Sequence, residues 1–295
     1  MPRTQANLIL LIAGAIWGMG FVAQSSAMED IGPFLFIGLR FTLATVVVLP
    51  FALREARHSD RPLDRQGLKG LLWIGVVLFL GMASQQNGLL TTTVTNSGFL
   101  TGLYVVFTPI LAVLVLREMP HFIVWPCALL ALGGIFLLSG GNLSALSQGD
   151  LLTILCALFW AVQVILIGKF GKQTGRPLAL SVIQFSVCAI LGLAVALVFE
   201  SFDWVAIRAA GKEILFAGIF SSGVAFTLQA IGQRHTTPSQ AAIFLSSESL
   251  FAALFGALLL GETMKGIGYA GCALIFVSML LVEIVPELGK QKDKA

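Results

Sequence analysis

Charge is scarce in this 295-residue chain: Asp, Glu, Lys and Arg together make up 11% of it, too little to cover a soluble domain of this size. Cysteine and histidine are scarce as well. The four cysteines, Cys127, Cys156, Cys188 and Cys272, lie inside apolar runs without C-x-x-C or Cys/His spacing. That pattern indicates neither a disulfide framework nor a metal site, and they read as small packing residues. The three histidines, His58, His121 and His235, fall in connections between apolar runs. No H-E-x-x-H, G-x-S-x-G or paired acidic motif sits on those runs, so the sequence points to neither an enzyme nor a cofactor. A net charge of +3 without a basic cluster gives no sign of nucleic acid.

What the chain has in abundance is apolar surface. It is 57% hydrophobic with mean hydropathy +0.92, the composition of an all-α integral membrane protein. A hydrocarbon core about 30 Å thick needs roughly 20 helical residues to cross it. Apolar runs of that length predict ten spans, near 6–26, 33–53, 68–90, 94–116, 122–140, 151–170, 177–199, 212–233, 238–260 and 266–284. The connections are short and polar, so no soluble domain is inserted. The first span has the outline of a signal peptide, with Arg3 ahead of it and Ser25-Ser26-Ala27 behind it. Its counterpart in the second half argues that it is retained.

Basic residues set the orientation. With ten spans, the connections on the side of both termini carry Arg3, Arg54, Arg57, Arg61, Arg65, Lys69, Arg117, Lys169, Lys172, Arg176, Arg234, Lys290, Lys292 and Lys294. The opposite side carries only Arg208, Lys212 and Lys265. Both termini are therefore expected in the cytoplasm, and helical spans of this length suit a bacterial inner membrane.

Laid on itself with a shift of 143 or 144 residues, the chain pairs Trp17 with Trp160, Phe41 with Phe185, Gln85 with Gln229, Gly88 with Gly232, Thr92-Thr93 with Thr236-Thr237 and Glu118 with Glu262. A near-constant shift over that distance predicts two repeats, residues 1–140 and 149–284, followed by a cytoplasmic tail at 285–295. Five spans per repeat is an odd number, so the second copy is inverted in the bilayer. Inverted repeats supply two conformations of similar energy around a site near the midplane, the architecture of alternating access.

Polar residues inside the spans mark the candidate site. Glu248 is the eleventh residue of span 9, roughly 15 Å along it at 1.5 Å per residue, and so near the midplane. A charge at that depth costs about 2.5–3.5 kcal/mol on insertion scales, so it needs a partner or a cavity. Two readings are open: a cavity-lining or substrate-linked carboxylate, or a protonated structural acid bonded to Ser246, Ser247 or Ser249. Shifted by 144, Glu248 meets Tyr104 in span 4, where Ser97, Thr101, Tyr104 and Thr108 form one polar stripe. Span 8 carries a matching stripe of Ser222, Phe226, Gln229 and Gln233. Gln24, Gln85, Gln163 and Gln229 need hydrogen-bond partners in hydrocarbon, from neighbouring helices or from a solute. Trp17, Trp160, Phe21 and Tyr104 make either an aromatic surface for an amphipathic solute or ordinary packing. Arg40, near the outer end of span 2, reads as a snorkelling or ion-paired structural residue. Glu118 and Glu262, at helix ends, read as anchors or gate elements. Spans 5 and 10 are nearly free of polar side chains, which places them outside the cavity. Their small residues, Gly133-Gly134 and Gly268 with Gly271-Cys272, are suited to close contact or a homodimer.

Gly14-Ala15-Ile16-Trp17-Gly18, Arg40-Phe41 with Ala44, and Leu260-Gly261-Glu262 together resemble the EamA-type branch of the drug/metabolite transporter superfamily. The resemblance covers essentially the whole chain. It implies ten helices in a 5+5 inverted arrangement with helices 5 and 10 peripheral. Within that superfamily the chain is most similar to YddG-type exporters of amino acids, aromatic and other neutral ones, and related metabolites. The expected function is thus an inner-membrane carrier exporting such small molecules, with a multidrug or other metabolite exporter of the same fold as the nearer alternative and an intramembrane enzyme as the remote one. A nucleotide-sugar carrier needs cationic residues for phosphate, and Arg40 is the one cation inside the predicted spans away from their ends.

Overall fold

The computed structural model describes residues 1–59, 62–92, 94–138, 147–260 and 266–292, and all regular structure among them is helical. In chain order the helices are α1 Arg3–Ala27, α2 Pro33–Arg57, α3 Arg65–Leu89, α4 Val94–Thr101, α5 Tyr104–Leu111, α6 Val124–Leu138, α7 Gln148–Thr174, α8 Pro177–Phe199, α9 Trp204–Ala209, α10 Gly211–Phe216, α11 Phe226–Gln233, α12 Pro238–Leu245, α13 Glu248–Leu260 and α14 Gly266–Lys292. A π-helical stretch, Ala112–Leu116, extends α5, and another, Ala217–Ala225, joins α10 to α11. Eight helical segments are long and apolar enough to cross a membrane, and Val124–Leu137 is a shorter apolar helix. Large apolar side chains face outward, among them Leu114, Val198 and Phe199 at 70%, 72% and 77% exposure. Such a surface suits lipid, where only structures that satisfy their own backbone hydrogen bonds persist.

Two predicted spans are interrupted rather than continuous. Residues 94–116 break between α4 and α5 at Gly102-Leu103, and 238–260 break between α12 and α13 at Ser246-Ser247. At both places the backbone tightens to i→i−3 bonding: Leu103 N to Leu100 O and Val105 N to Gly102 O in one, Ser247 N to Phe244 O and Ser249 N to Ser246 O in the other. The breaks are equivalent under the 144-residue shift. Glu248 is therefore the first residue of a half-helix, not the middle of a continuous one, and Tyr104 holds the same position in the other half.

The packing repeats under the same shift. α2 and α8 run antiparallel, each closing the other's first turn. The Glu200 carboxylate accepts from the amides of Phe34 (2.9 Å) and Leu35 (2.7 Å). At the other end, Glu55 accepts from Leu178 (3.1 Å) and Ala179 (2.9 Å) and pairs with Arg176 (3.4 Å). Amides at a helix start lack intrahelical partners and carry partial positive charge, so a carboxylate satisfies both needs. Close helix crossings repeat likewise. A Cβ on Gly88 of α3 would sit 3.0 Å from the Gly149 carbonyl of α7, and one on Gly232 of α11 3.1 Å from the Ala6 carbonyl of α1. α6 packs against α14, where a Cβ on Gly134 would lie 2.7 Å from the Gly271 carbonyl. Of the small residues suited to close contact or a homodimer, Gly134 and Gly271 thus meet within one chain, while a Cβ on Gly133 would meet nothing within 4 Å.

Candidate functional site

The two interrupted helices and the helices around them surround a cavity with about 490 Å³ of unfilled space, a figure that includes its opening. α1 contributes Trp17, Phe21 and Gln24, spaced to share one helical face. α7 contributes Trp160, Gln163 and Val164, and α3 contributes Met82 and Gln85. Thr101 and Tyr104 flank one helix break, and Leu245 and Glu248 flank the other. Ser221, Phe226 and Gln229 line a third side, and Arg40 of α2 completes the wall. None of these residues comes from α6, α8 or α14.

The G-A-I-W-G stretch explains how α1 reaches the site. Gly14 and Gly18 pass directly over the break in the facing span: a Cβ on Gly14 would meet Ser247 Oγ at 2.4 Å, and one on Gly18 the Glu248 carbonyl at 2.7 Å. Trp17, between them, turns into the cavity, where its indole N–H donates to the Ser221 carbonyl (2.9 Å). In α7 the corresponding small residues are Ala157 and Ala161, both fully buried, with Trp160 in the place of Trp17.

The wall combines aromatic faces with amides. Phe226 stands between the two tryptophans, with centroid separations of 4.7 Å to Trp17 and 5.7 Å to Trp160. The Gln229 amide donates to Gln163 Oε1 (3.1 Å), and Gln163 donates in turn to Gln184 (3.4 Å). Gln85 donates to Thr101 Oγ1 (3.3 Å). Two buried polar atoms on this wall, Gln229 Oε1 and the Tyr104 hydroxyl, meet no hydrogen-bonding geometry with the described residues. The Tyr104 hydroxyl lies within electrostatic reach of the buried Glu248 carboxyl. The proposed bonding of Glu248 to neighbouring serines is not found: Ser246 Oγ donates to the Ile243 carbonyl, and Ser247 Oγ has no partner.

The structure brings Trp17, Phe21, Gln24, Gln85, Thr101, Tyr104, Trp160, Gln163, Phe226, Gln229 and Glu248 together on this wall. The other residues of the two polar stripes sit behind or beside it, and Gln233 Nε2 donates to the Val164 carbonyl (3.0 Å). Thr108 Oγ1 bonds back to the Tyr104 carbonyl, Ser97 is buried off the wall with its hydroxyl unpartnered, and Ser222 accepts from Arg40 Nε at 2.8 Å. The expectation for Arg40 is corrected. It does not snorkel and forms no ion pair among the described residues; it is 1% exposed and lies on the cavity wall. Its guanidinium is held inside the protein by Gln24 Oε1 (2.9 Å), Ser222 (2.8 Å) and Ser221 (3.3 Å). Glu118 is exposed in the connection after α5 and its π extension, away from the cavity. Glu262 lies outside the described residues. Ser221, Met82, Val164 and Leu245 also line the wall, and the sequence pattern does not mark them.

The sequence pattern of the EamA-like transporter family matches residues 4–140 and again residues 147–284. The chain belongs to the EamA-like transporter family. It is 33% identical over 284 residues to an uncharacterized transporter of Archaeoglobus fulgidus, spanning 96% of this chain and 87% of that protein. It is 26% identical to the uncharacterized transporter YwfM of Bacillus subtilis (98% and 97%), and 23% identical to the uncharacterized inner membrane transporter YedA of Escherichia coli K12 (91% and 87%). A solved crystal structure with 20% identity superimposes with a TM-score of 0.78 over 96% of this chain and 98% of that one, a likeness of fold. The EamA-like chain is thus a multi-pass membrane transporter, and its substrate is a small molecule.

Proposed function

We propose that this EamA-like protein is a secondary carrier of the bacterial inner membrane that exports neutral and aromatic amino acids and related small metabolites by alternating access. In this reading the chain makes ten spans in two inverted five-helix repeats, 1–140 and 149–284, with both termini in the cytoplasm. The observation that carries it is the polar and aromatic cavity bounded by two helix breaks equivalent under the 144-residue shift. Discontinuous helices around a midplane site provide ligand groups and a place to flex. The reciprocal caps by Glu55 and Glu200 and the paired glycine crossings support the inverted arrangement. Trp17, Phe226 and Trp160 would hold an apolar or aromatic body while the glutamine amides and Tyr104 hold its polar end.

Uptake and counterflow of labelled amino acids by the purified protein in liposomes tests this function. Saturable, substrate-dependent flux is expected for aromatic or other neutral amino acids. No flux with any member of a broad panel would count against it, and protection of cells from cationic dyes without amino-acid flux would favour a multidrug exporter.

A further inference from the structure

Arg40 is a buried cation without a counter-ion among the described residues. Its guanidinium has five N–H donors, and three interactions hold it in place: Nε to Ser222 Oγ, one terminal nitrogen to Gln24 Oε1 and the other to Ser221 Oγ. All three acceptors are neutral. The Phe36 and Phe41 rings lie 5.4 and 5.1 Å from the guanidinium carbon, which fixes the plane of the fork without neutralising it. The other charge on the wall, Glu248, is not paired with it. An unpaired charge inside a membrane protein is costly, and such residues mark substrate or ion paths. Two of the five donors have no acceptor among the described residues, on a side chain that lines the cavity, and a guanidinium fork is suited to a carboxylate.

We propose that Arg40 is the carboxylate-binding residue of the cavity: the carrier recognises solutes through a free carboxylate seated on Arg40, with their apolar part against the Trp17, Phe226 and Trp160 rings. This inference rests on the small-molecule reading of the same cavity and adds a selection rule to it. Solutes with a carboxylate and an apolar body bind, whether or not they carry an amine. The matching amides and amines do not. Gln24, Ser221 and Ser222 are positioning residues that hold the fork; the π-helical stretch Ala217–Ala225 brings both serines to it.

Quenching of intrinsic tryptophan fluorescence in the purified full chain reads this out, because Trp17 and Trp160 border the cavity. The probes are L-phenylalanine, 3-phenylpropionate, L-phenylalaninamide and phenethylamine, with benzoate and succinate as carboxylates of other shape. Phenylalanine and phenylpropionate should bind at least about tenfold more tightly than the amide and the amine, the scale of a lost charged hydrogen-bond pair. Arg40→Gln should bring the four within about threefold of one another. Arg40→Lys, which keeps the charge without the fork, should keep the ranking with weaker affinity. If the Gln variant does not fold, the ranking in the unaltered protein and in Arg40→Lys still decides. Equal affinity of phenylalanine and its amide in the unaltered protein overturns the inference, as does the absence of binding by every carboxylate. Arg40-dependent binding of benzoate or succinate without phenylalanine binding would uphold Arg40 and reject the amino-acid reading instead.

Discussion

Replacing Gly18 by alanine adds one methyl group where the helix break is closest to its neighbour. A Cβ at Gly18 would lie 2.7 Å from the Ala252 amide nitrogen, 2.7 Å from the Glu248 carbonyl oxygen and 2.8 Å from Phe251 Cβ. Ordinary contact needs about 3.5 Å, so α1 and α13 must move apart by about 1 Å, and two of the three opposing atoms are backbone and cannot rotate away. Overpacking of this kind costs about 1–3 kcal/mol. Because Trp17 adjoins Gly18 and Glu248 opens α13, the same displacement widens the cavity wall. The expected result is a lower melting temperature of the detergent-solubilised protein, followed by size-exclusion fluorescence, together with weaker ligand quenching. Gly133→Ala is the control: its added Cβ meets nothing within 4 Å, and its helix propensity improves by up to about 1 kcal/mol. A Gly18→Ala protein as stable as the parent, with unchanged ligand binding, would refute the close-packed break.

Glu55→Ala and Glu200→Ala each strand two helix-start amides, so each should cost about 0.5–2 kcal/mol, with near-additive loss in the double variant because the sites lie at opposite ends of the α2–α8 pair; thermal melts check both. Stability loss from one substitution alone would contradict the reciprocal capping. Phe226→Ala removes the ring between the two tryptophans and should weaken aromatic ligands more than aliphatic ones, measured by the same fluorescence titration; an equal effect on both classes would make Phe226 a packing residue only. If Glu248 carries a proton during transport, flux in liposomes depends on the pH gradient and Glu248→Gln removes that dependence. A pH-insensitive flux that survives the substitution would leave Glu248 a structural acid.

Much of this cavity is legible in the sequence because membrane helices make polar residues conspicuous. The stripe through Thr101 and Tyr104, the tryptophan pair and the four glutamines stand out against their apolar surroundings, and most of them meet at the wall. The helix breaks are not legible as breaks, because the polar group Ser246-Ser247-Glu248-Ser249 interrupts the apolar run without a proline or glycine to end a helix there. What opposes continuity at Ser246-Ser247 is the close passage of Gly14 and Gly18 more than two hundred residues earlier. Arg40 was misjudged for a related reason. Counting residues from a helix start gives depth but not direction, and the partners that turn this side chain inward, Ser221 and Ser222, come from the other half. Glu55 and Glu200 stand 145 residues apart (200 − 55), one residue from the repeat shift, and that spacing is the signal the sequence offers for them. Small residues on the fifth and tenth predicted spans marked a close contact correctly, but periodicity cannot tell whether the partner is the same chain or another. Gly134 against Gly271 makes it the same chain.

Cysteine accessibility at the cavity tests the alternating-access account most directly. In a background with Cys127, Cys156, Cys188 and Cys272 replaced, Thr101→Cys is treated with a membrane-impermeant thiol reagent, in right-side-out and in inverted vesicles. The account predicts reaction from both sides, slowed by a transported amino acid in each orientation. Reaction from one side only, unaffected by any solute in the panel, would contradict it.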